Sequence, residues 1–91
     1  MHDQSKAASN AAEDLTNERA VFAHIIDTFP ATLRLSDVMQ EMGGSENFAK
    51  RDSVERAVRE LVRGGLLFRC ESVVLPTRPA LRAYELLVEA A

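Results

Sequence analysis

The sequence predicts a mostly α-helical domain with one small β-hairpin, an α+β fold. The most informative stretch runs from Asp52 to Pro76, where an amphipathic segment is followed by a Gly-Gly pair and two short runs typical of strands. Apolar residues recur in the amphipathic segment at the spacing of one buried helical face, namely Val54, Ala57, Val58, Leu61 and Val62. Two shorter helical segments precede it and one follows. The expected order is therefore helix, strand, helix, helix, hairpin, helix.

The first helix is expected from Asn17 to Phe29, with Thr16 as its N-cap and Pro30 ending it. Its inward side chains are expected to be Val21, Phe22, Ile25, Ile26 and Phe29. Residues 1–15 are small and polar without a clear period, which is typical of a flexible tail. We therefore divide the chain into a tail, residues 1–15, and one folded domain, residues 16–91.

The next segment predicts a lone strand and a second short helix. Thr32 to Leu35 alternate in polarity and are expected to pair later with the hairpin. Ser36 is expected to cap a helix from Asp37 to Met42, which Gly43-Gly44 end. That helix is expected to bury Val38, Met39 and Met42. Residues 45–51 read as a loop with one helical turn, anchored by Phe48.

Asp52 is the expected N-cap of the third helix, and Gly64-Gly65 supply its end. Residues 66–69 and 73–75 are expected to form two strands around Cys70-Glu71-Ser72. The last helix is expected from Pro79 to about Val88, capped by Thr77 or Arg78, because proline is tolerated in a first turn. Its inward residues are expected to be Leu81, Tyr84, Leu87 and Val88.

Composition narrows the class of protein. Ninety-one residues, 46% of them hydrophobic, suit one small core. The chain contains no apolar run near the roughly 18 residues that a membrane span needs, and its N-terminus lacks the apolar region of a secretory signal. Its single cysteine, Cys70, excludes an internal disulfide. We expect a cytoplasmic protein with no membrane association.

Charge is distributed unevenly along the chain. The formal net charge of −3 alone argues against a nucleic-acid partner. Residues 50–82 nevertheless hold eight basic and four acidic side chains, whereas residues 1–49 hold three basic and eight acidic ones. A basic segment inside an acidic chain is compatible with nucleic-acid binding.

The sequence resembles the winged helix-turn-helix domains of bacterial transcription regulators. The run RAVRELVRGGLLFR is similar to the end of their recognition helix and the start of their wing, and LRLSDVMQEM to their strand and second helix. The run VLPTRPALR is similar to small actinobacterial winged-helix proteins. The resemblance covers Glu18 to Val88 and implies binding of double-stranded DNA, with the third helix in the major groove.

Two features depart from that family. The expected link from Gly43 to Asp52 is longer than the usual turn between the second and third helices. Glu71 places an acidic side chain at the tip of a short wing, where DNA-gripping wings carry Arg or Lys. Both departures favour the alternative, a winged-helix module that binds a protein partner and not DNA.

The candidate DNA-binding residues are basic or hydroxylic side chains on and around the third helix. Arg56, Arg59 and Arg63 lie within roughly 60° of one another, opposite the apolar face, and suit base edges and phosphates. Lys50, Arg51 and Ser53 near the start of the helix suit phosphates, and Arg69 extends the basic surface onto the wing. The competing interpretation is a solvated face in which Glu55 pairs with Arg59, and Glu60 with Arg56 and Arg63, each pair contributing about 0.3–0.5 kcal/mol.

Other functional classes find less support in the sequence. Leu86 and Val88 suggest a homodimer interface on the last helix. Cys70 allows a third class of function, a redox switch through a reversible intermolecular disulfide, although a half-buried structural cysteine is the simpler expectation. We expect no catalytic residues, no metal site and no cofactor, because no Cys/His spacing suits zinc and no glycine-rich phosphate loop follows a strand.

Overall fold

The computed structural model describes residues 2–44 and 46–90, and the side chains of residues 11–44 and 46–88. Four helices and three strands follow the expected order. They are α1 His2–Thr28, β1 Leu33–Arg34, α2 Leu35–Glu41, α3 Phe48–Arg63, β2 Leu67–Cys70, β3 Val73–Pro76 and α4 Arg78–Ala90. The expected α+β class is confirmed.

The strands form one antiparallel sheet in the order β1-β3-β2. Leu33 pairs with Val74, and Cys70 pairs with Val73 across a turn formed by Glu71 and Ser72. Glu71 takes a positive φ of 56°, in the left-handed region that non-glycine residues seldom adopt. The expected pairing of the lone strand with the hairpin is confirmed.

The core lies where α1, α2 and α3 meet the sheet. Its buried side chains are Val21, Ile25, Val38, Met39, Val54, Ala57, Val58, Leu61, Leu67 and Val74. The helical periods predicted these positions on all three helices. Phe29 and Val62 were expected inside as well, but they are 39% and 37% exposed, because Phe29 lies beyond the last residue of α1 and Val62 lies in the last turn of α3.

The expected start of the first helix is wrong. α1 begins at His2, and Thr16 lies inside it, where its hydroxyl donates to the Ala12 carbonyl oxygen four residues back at 3.0 Å. The physical reason is composition, because residues 7–12 include four alanines, the residue with the highest helix propensity. The division into a tail and a domain at residue 15 stays a prediction.

The second helix is confirmed, but its cap is not Ser36. α2 begins at Leu35, and the Asp37 carboxylate accepts a hydrogen bond from the Arg34 amide at 3.1 Å. Two backbone hydrogen bonds end the helix. The Gly43 N–H donates to the Gln40 carbonyl oxygen at 3.2 Å, and the Gly44 N–H donates to the Met39 carbonyl oxygen at 2.7 Å. This pattern is a Schellman motif, and Gly43 supplies the positive φ of 82° that it needs.

The third helix starts earlier than the sequence predicts. α3 begins at Phe48, and the Asn47 side chain caps it by accepting from the Lys50 amide at 3.1 Å. Asp52 therefore lies inside the helix, and Phe48 does not anchor a loop, since it is 83% exposed. Only residues 42–47 separate α2 from α3. The link is therefore shorter than the expected stretch from Gly43 to Asp52, but it is still longer than the turn of about three to four residues usual in the resembling family.

Gly44 allows α2 and α3 to approach closely. A Cβ atom at this buried position would stand 3.1 Å from the Arg51 Cα and 3.3 Å from the Met39 carbonyl oxygen. Both neighbours are backbone atoms, so they cannot move aside as a side chain would. Gly44 thus fixes the start of α3 against the end of α2.

Thr77 joins the end of α3 to the start of α4. A second Schellman motif ends α3, with Gly65 N–H donating to the Val62 oxygen and Leu66 N–H to the Leu61 oxygen. The Thr77 hydroxyl donates to the Gly65 oxygen at 2.6 Å and accepts from the Ala80 amide at 3.3 Å. Thr77 therefore caps α4, as expected, and ties it to the end of α3.

Most of α4 is not covered by the rest of the domain. Ala80 is buried and Leu81 is half-buried. Tyr84, Leu87 and Val88, which were expected inside, are 38%, 72% and 54% exposed. The expectation was wrong because the helix leaves the domain after its first turn. Among the described helices, none combines the length and the apolar character needed to cross a membrane.

Candidate nucleic-acid interface

A cleft separates the outer side of α3 from the hairpin. It encloses about 280 Å³ and is lined by Leu35, Glu55, Val58, Arg59, Val62 and Arg69. Three of these residues are apolar, and the charged ones are two arginines, Arg59 on α3 and Arg69 on β2, and one carboxylate, Glu55 on α3. Both arginine side chains are exposed. The fold therefore brings together two of the seven candidate DNA-binding residues in one concave surface.

Arg59 is available for an external ligand. The expected Glu55–Arg59 pair is wrong, because Glu55 instead lies 4.0 Å from the Arg51 guanidinium, one turn earlier. No carboxylate pairs with Arg59 within the described part of the chain. Of the three arginines of the expected stripe, Arg59 alone is thus without an ion pair among the described residues.

Arg56 is held by the first helix. Its guanidinium donates to the Asp14 carboxylate of α1 at 2.9 Å. The competing interpretation expected Glu60 as its partner, but Glu60 pairs with Arg63 at 3.5 Å. Sequence spacing finds partners within one helix, whereas Asp14 lies 42 positions away along the chain. Arg56 therefore reaches an external phosphate only by giving up this pair.

Lys50 and Ser53 also bond within the protein. The Lys50 ammonium donates to the side-chain oxygen of Asn17 at 2.9 Å, and Asn17 is 7% exposed. The Ser53 hydroxyl donates to the Ala49 carbonyl oxygen at 3.0 Å, a common bond inside helices. Because α3 begins at Phe48, Lys50 is part of the helix. It lies one turn before the buried Val54, on the side of α3 that faces α1.

Arg69 is the candidate DNA-binding residue on the hairpin, and its side chain is partly engaged within the hairpin itself. The Arg69 guanidinium donates to the Glu71 carbonyl oxygen at 3.1 Å, which draws its side chain along the hairpin. Cys70 is exposed, so the expectation of a half-buried cysteine was wrong. Because Glu71 is also exposed at the turn, the acidic tip remains a departure from DNA-gripping wings.

Phe48 is a surface feature that the sequence interpretation missed. It lies on the first turn of α3 and is 83% exposed. Eleven residues separate it from Arg59, which at about 100° per residue places both on nearly the same outward line. The helical period would have found this position if the helix start had been recognised.

Two arginines remain at the ends of the outward face of α3. Arg51 lies near its start and Arg63 at its end, and each takes part only in an exposed ion pair, with Glu55 and Glu60 respectively. Such pairs contribute little and are easily exchanged for other anions. Together with Arg59 and Arg69, they form the basic surface of this side of the domain. Comparison of the chain with protein-family models, with curated proteins and with solved structures finds no match, so the assignment of this surface rests on its own geometry and charges.

Proposed function

We propose that the chain is a winged helix-turn-helix domain that binds double-stranded DNA, with α3 in the major groove and the β2–β3 hairpin as the wing. The element order and the sheet order β1-β3-β2 support this fold. The link of residues 42–47 is shorter than the sequence predicts, which brings α2 and α3 nearer to the succession found in a helix-turn-helix. Transcription regulation is the role that follows from such binding.

The observation that carries the proposal is the pair of exposed arginines at the cleft between α3 and the hairpin. Arg59 projects from the helix that would enter the groove, and it forms no ion pair with any described carboxylate. Arg is the side chain best suited to the O6 and N7 acceptors of guanine, which it contacts with two hydrogen bonds. Arg69 would then contact the flanking phosphates from the wing.

The other five candidate residues divide into two groups under this proposal. Arg51 and Arg63 serve as phosphate contacts, since their exposed ion pairs can be replaced by pairs with phosphate. Lys50, Ser53 and Arg56 support α3 through their bonds within the protein and contribute little to the free protein's basic surface. We therefore narrow the proposed contacts to Arg51, Arg59, Arg63 and Arg69.

The decisive experiment is a fluorescence-anisotropy titration with duplex DNA at several salt concentrations. We expect affinity to fall log-linearly with salt, with a slope of about −3 to −4 if three or four phosphates are neutralised. Arg59→Ala is expected to weaken binding by about tenfold, the equivalent of about 1.4 kcal/mol for one lost charged contact.

Arg19→Ala is the matched control, because Arg19 is an exposed arginine on α1 and its loss changes the net charge equally. We expect this variant to bind as the wild type does. Equal losses for both variants would show a nonspecific charge effect and contradict the assignment to α3. An absence of binding at low salt would exclude DNA as the partner.

The second candidate is a protein-docking module without DNA contact. Phe48, 83% exposed at the start of α3, would supply such a module with an aromatic side chain of the kind enriched in protein interfaces. The acidic turn at Glu71 favours it as well. The same titration separates the candidates, because the docking module is expected not to bind duplex DNA at any salt concentration.

A further inference from the structure

Glu55 places a carboxylate among the arginines of the cleft between α3 and the hairpin. It lines the cleft together with Arg59, one helical turn further along α3, and with Arg69 on β2. Its carboxylate lies 4.0 Å from the Arg51 guanidinium, and both side chains of this pair are partly exposed. Glu55 thus belongs to the surface to which the proposed function assigns DNA, and its ion pair is weak.

DNA binding under the proposed function would remove this partner from Glu55. Arg51 is one of the proposed phosphate contacts, and a guanidinium that turns to a phosphate releases the carboxylate with which it was paired. Glu55 would then lie beside the DNA as a carboxylate without a donor, which costs free energy as it loses water. A hydrogen-bond donor on a base edge would offset this cost.

Few groups in the major groove can donate to a carboxylate. Guanine presents the acceptors N7 and O6, and thymine presents the acceptor O4, so both repel a carboxylate. Adenine has a donor, N6, beside the acceptor N7, and this combination suits the amide of Asn or Gln. Cytosine presents its N4 amino group, from which Glu accepts. A glutamate that faces the major groove therefore favours cytosine.

The spacing of Glu55 and Arg59 limits where this cytosine lies. Both residues line the same cleft, and they are four positions apart on α3. Four residues advance a helix by about 6 Å, whereas stacked bases are about 3.4 Å apart. The base that Glu55 reaches is therefore within about two base pairs of the guanine that Arg59 contacts.

We propose that Glu55 is a specificity-determining residue, which accepts a hydrogen bond from the N4 amino group of a cytosine close to the guanine bound by Arg59. This role rests on the proposed function, because Glu55 performs it only in the DNA complex. Its effect on binding differs from that of the arginines. The negative charge of Glu55 lowers the affinity for DNA in general, and its hydrogen bond restores affinity where the cytosine is present.

The competing role for Glu55 is to position Arg59. A carboxylate four residues before an arginine on a helix can pair with it and so orient the guanidinium toward the guanine. Loss of such a positioning residue would weaken the preference for guanine and would leave the preference for cytosine unchanged. The base whose selection changes in a Glu55 variant therefore distinguishes the two roles.

The first test is selection from a randomised duplex library with the full chain and with its Glu55→Ala and Arg59→Ala variants. The position at which Arg59→Ala loses its preference identifies the guanine. We expect the wild type to select a cytosine nearby, and Glu55→Ala to lose about tenfold in discrimination at that cytosine alone. Its affinity for mixed-sequence duplex should rise, since one negative charge is removed.

Glu60→Ala is the matched control. The Glu60 side chain is 40% exposed, against 41% for Glu55, and it pairs with another proposed phosphate contact, Arg63. Its removal therefore changes the net charge equally and also releases one arginine. Glu60 is not among the described residues that line the cleft. We expect Glu60→Ala to gain general affinity as Glu55→Ala does, and to keep the base preferences of the wild type.

A modified base tests the hydrogen bond itself. N4-methylcytosine still pairs with guanine, but a methyl group replaces the N4–H that faces the major groove. We expect this base at the selected position to weaken binding of the wild type by about tenfold, and to leave the affinity of Glu55→Ala unchanged. Fluorescence anisotropy with the two duplexes measures both effects.

The outcomes distinguish a failure of this role from a failure of the proposed function. A wild-type protein that does not bind duplex DNA at low salt would overturn both. DNA binding without a cytosine preference, or with one that Glu55→Ala retains or Glu60→Ala also loses, would overturn the role of Glu55 alone. A change confined to the guanine position would make Glu55 a positioning residue for Arg59 and exclude its contact with cytosine.

Discussion

Gly44 stands at a position where the packing of α2 against α3 leaves no room for a side chain. It is buried, and the atoms around the space where its Cβ would stand belong to the backbones of α2 and α3. Its neighbour Gly43 faces open space but takes a positive φ of 82°. The two adjacent glycines are thus required for different reasons, one for packing and one for backbone conformation.

We predict that the two positions respond differently to substitution. Gly44→Ala should destabilise the fold by about 1–3 kcal/mol, as overpacking does in a rigid environment. Gly43→Ala should cost about 1–2 kcal/mol through its left-handed backbone, whereas Gly43→Asn should cost less, because asparagine tolerates that conformation. Urea unfolding of the three variants measures these differences. A Gly44→Ala protein as stable as the wild type would show that α2 and α3 do not approach as closely as described.

The residue scale is also where prediction from the sequence succeeded least. Buried positions on α1 and α3 follow from periodicity, because a helical period selects a face without knowledge of what packs on it. Partners such as Asp14 for Arg56 and Asn17 for Lys50 depend on how α1 crosses α3. Spacing within one helix carries no information about such a crossing.

At the scale of elements, the start of α3 decides which side chains face outward. Asp52 is a strong N-cap residue by type, yet Asn47 performs this function five residues earlier. The signal that was overlooked is local, since Asn47 is also a favoured cap and residues 48–51 contain no helix-breaking Gly or Pro. Lys50 and Phe48 were misassigned for this reason alone.

We predict that Asn47→Ala destabilises the domain by about 1 kcal/mol, because the first turn of α3 loses its side-chain acceptor. Asp52→Ala is the control, an exposed substitution inside the helix whose effect should stay within about 0.5 kcal/mol. Thermal or urea unfolding of both variants provides the measurement. The reverse ranking would support the original assignment of the cap to Asp52.

At the scale of the whole molecule, the acidic first half of the chain folds against its basic second half. Asp14 on α1 neutralises Arg56 on α3, so the uneven charge along the sequence is partly cancelled in space. This contact lies across the largest helix–helix junction of the domain. Its contribution to stability is small, since both side chains are partly exposed.

We predict that Asp14→Asn strengthens DNA binding under the proposed function. The released Arg56 adds one phosphate contact, which should steepen the salt slope by about one unit. Stability should fall by less than about 1 kcal/mol. Arg56→Ala should have little effect in the wild type but should abolish the gain in the Asp14→Asn protein. Asp27→Asn, an equal charge change at an exposed site of α1, provides the comparison, and a similar gain there would indicate a general effect of net charge.

The junction at Thr77 has a mechanical consequence. Its hydroxyl links the last turn of α3 to the first turn of α4, so these two helices cannot reorient independently of each other. Thr77→Val should therefore loosen the orientation of α4 relative to α3, which faster amide hydrogen exchange in α4 would detect.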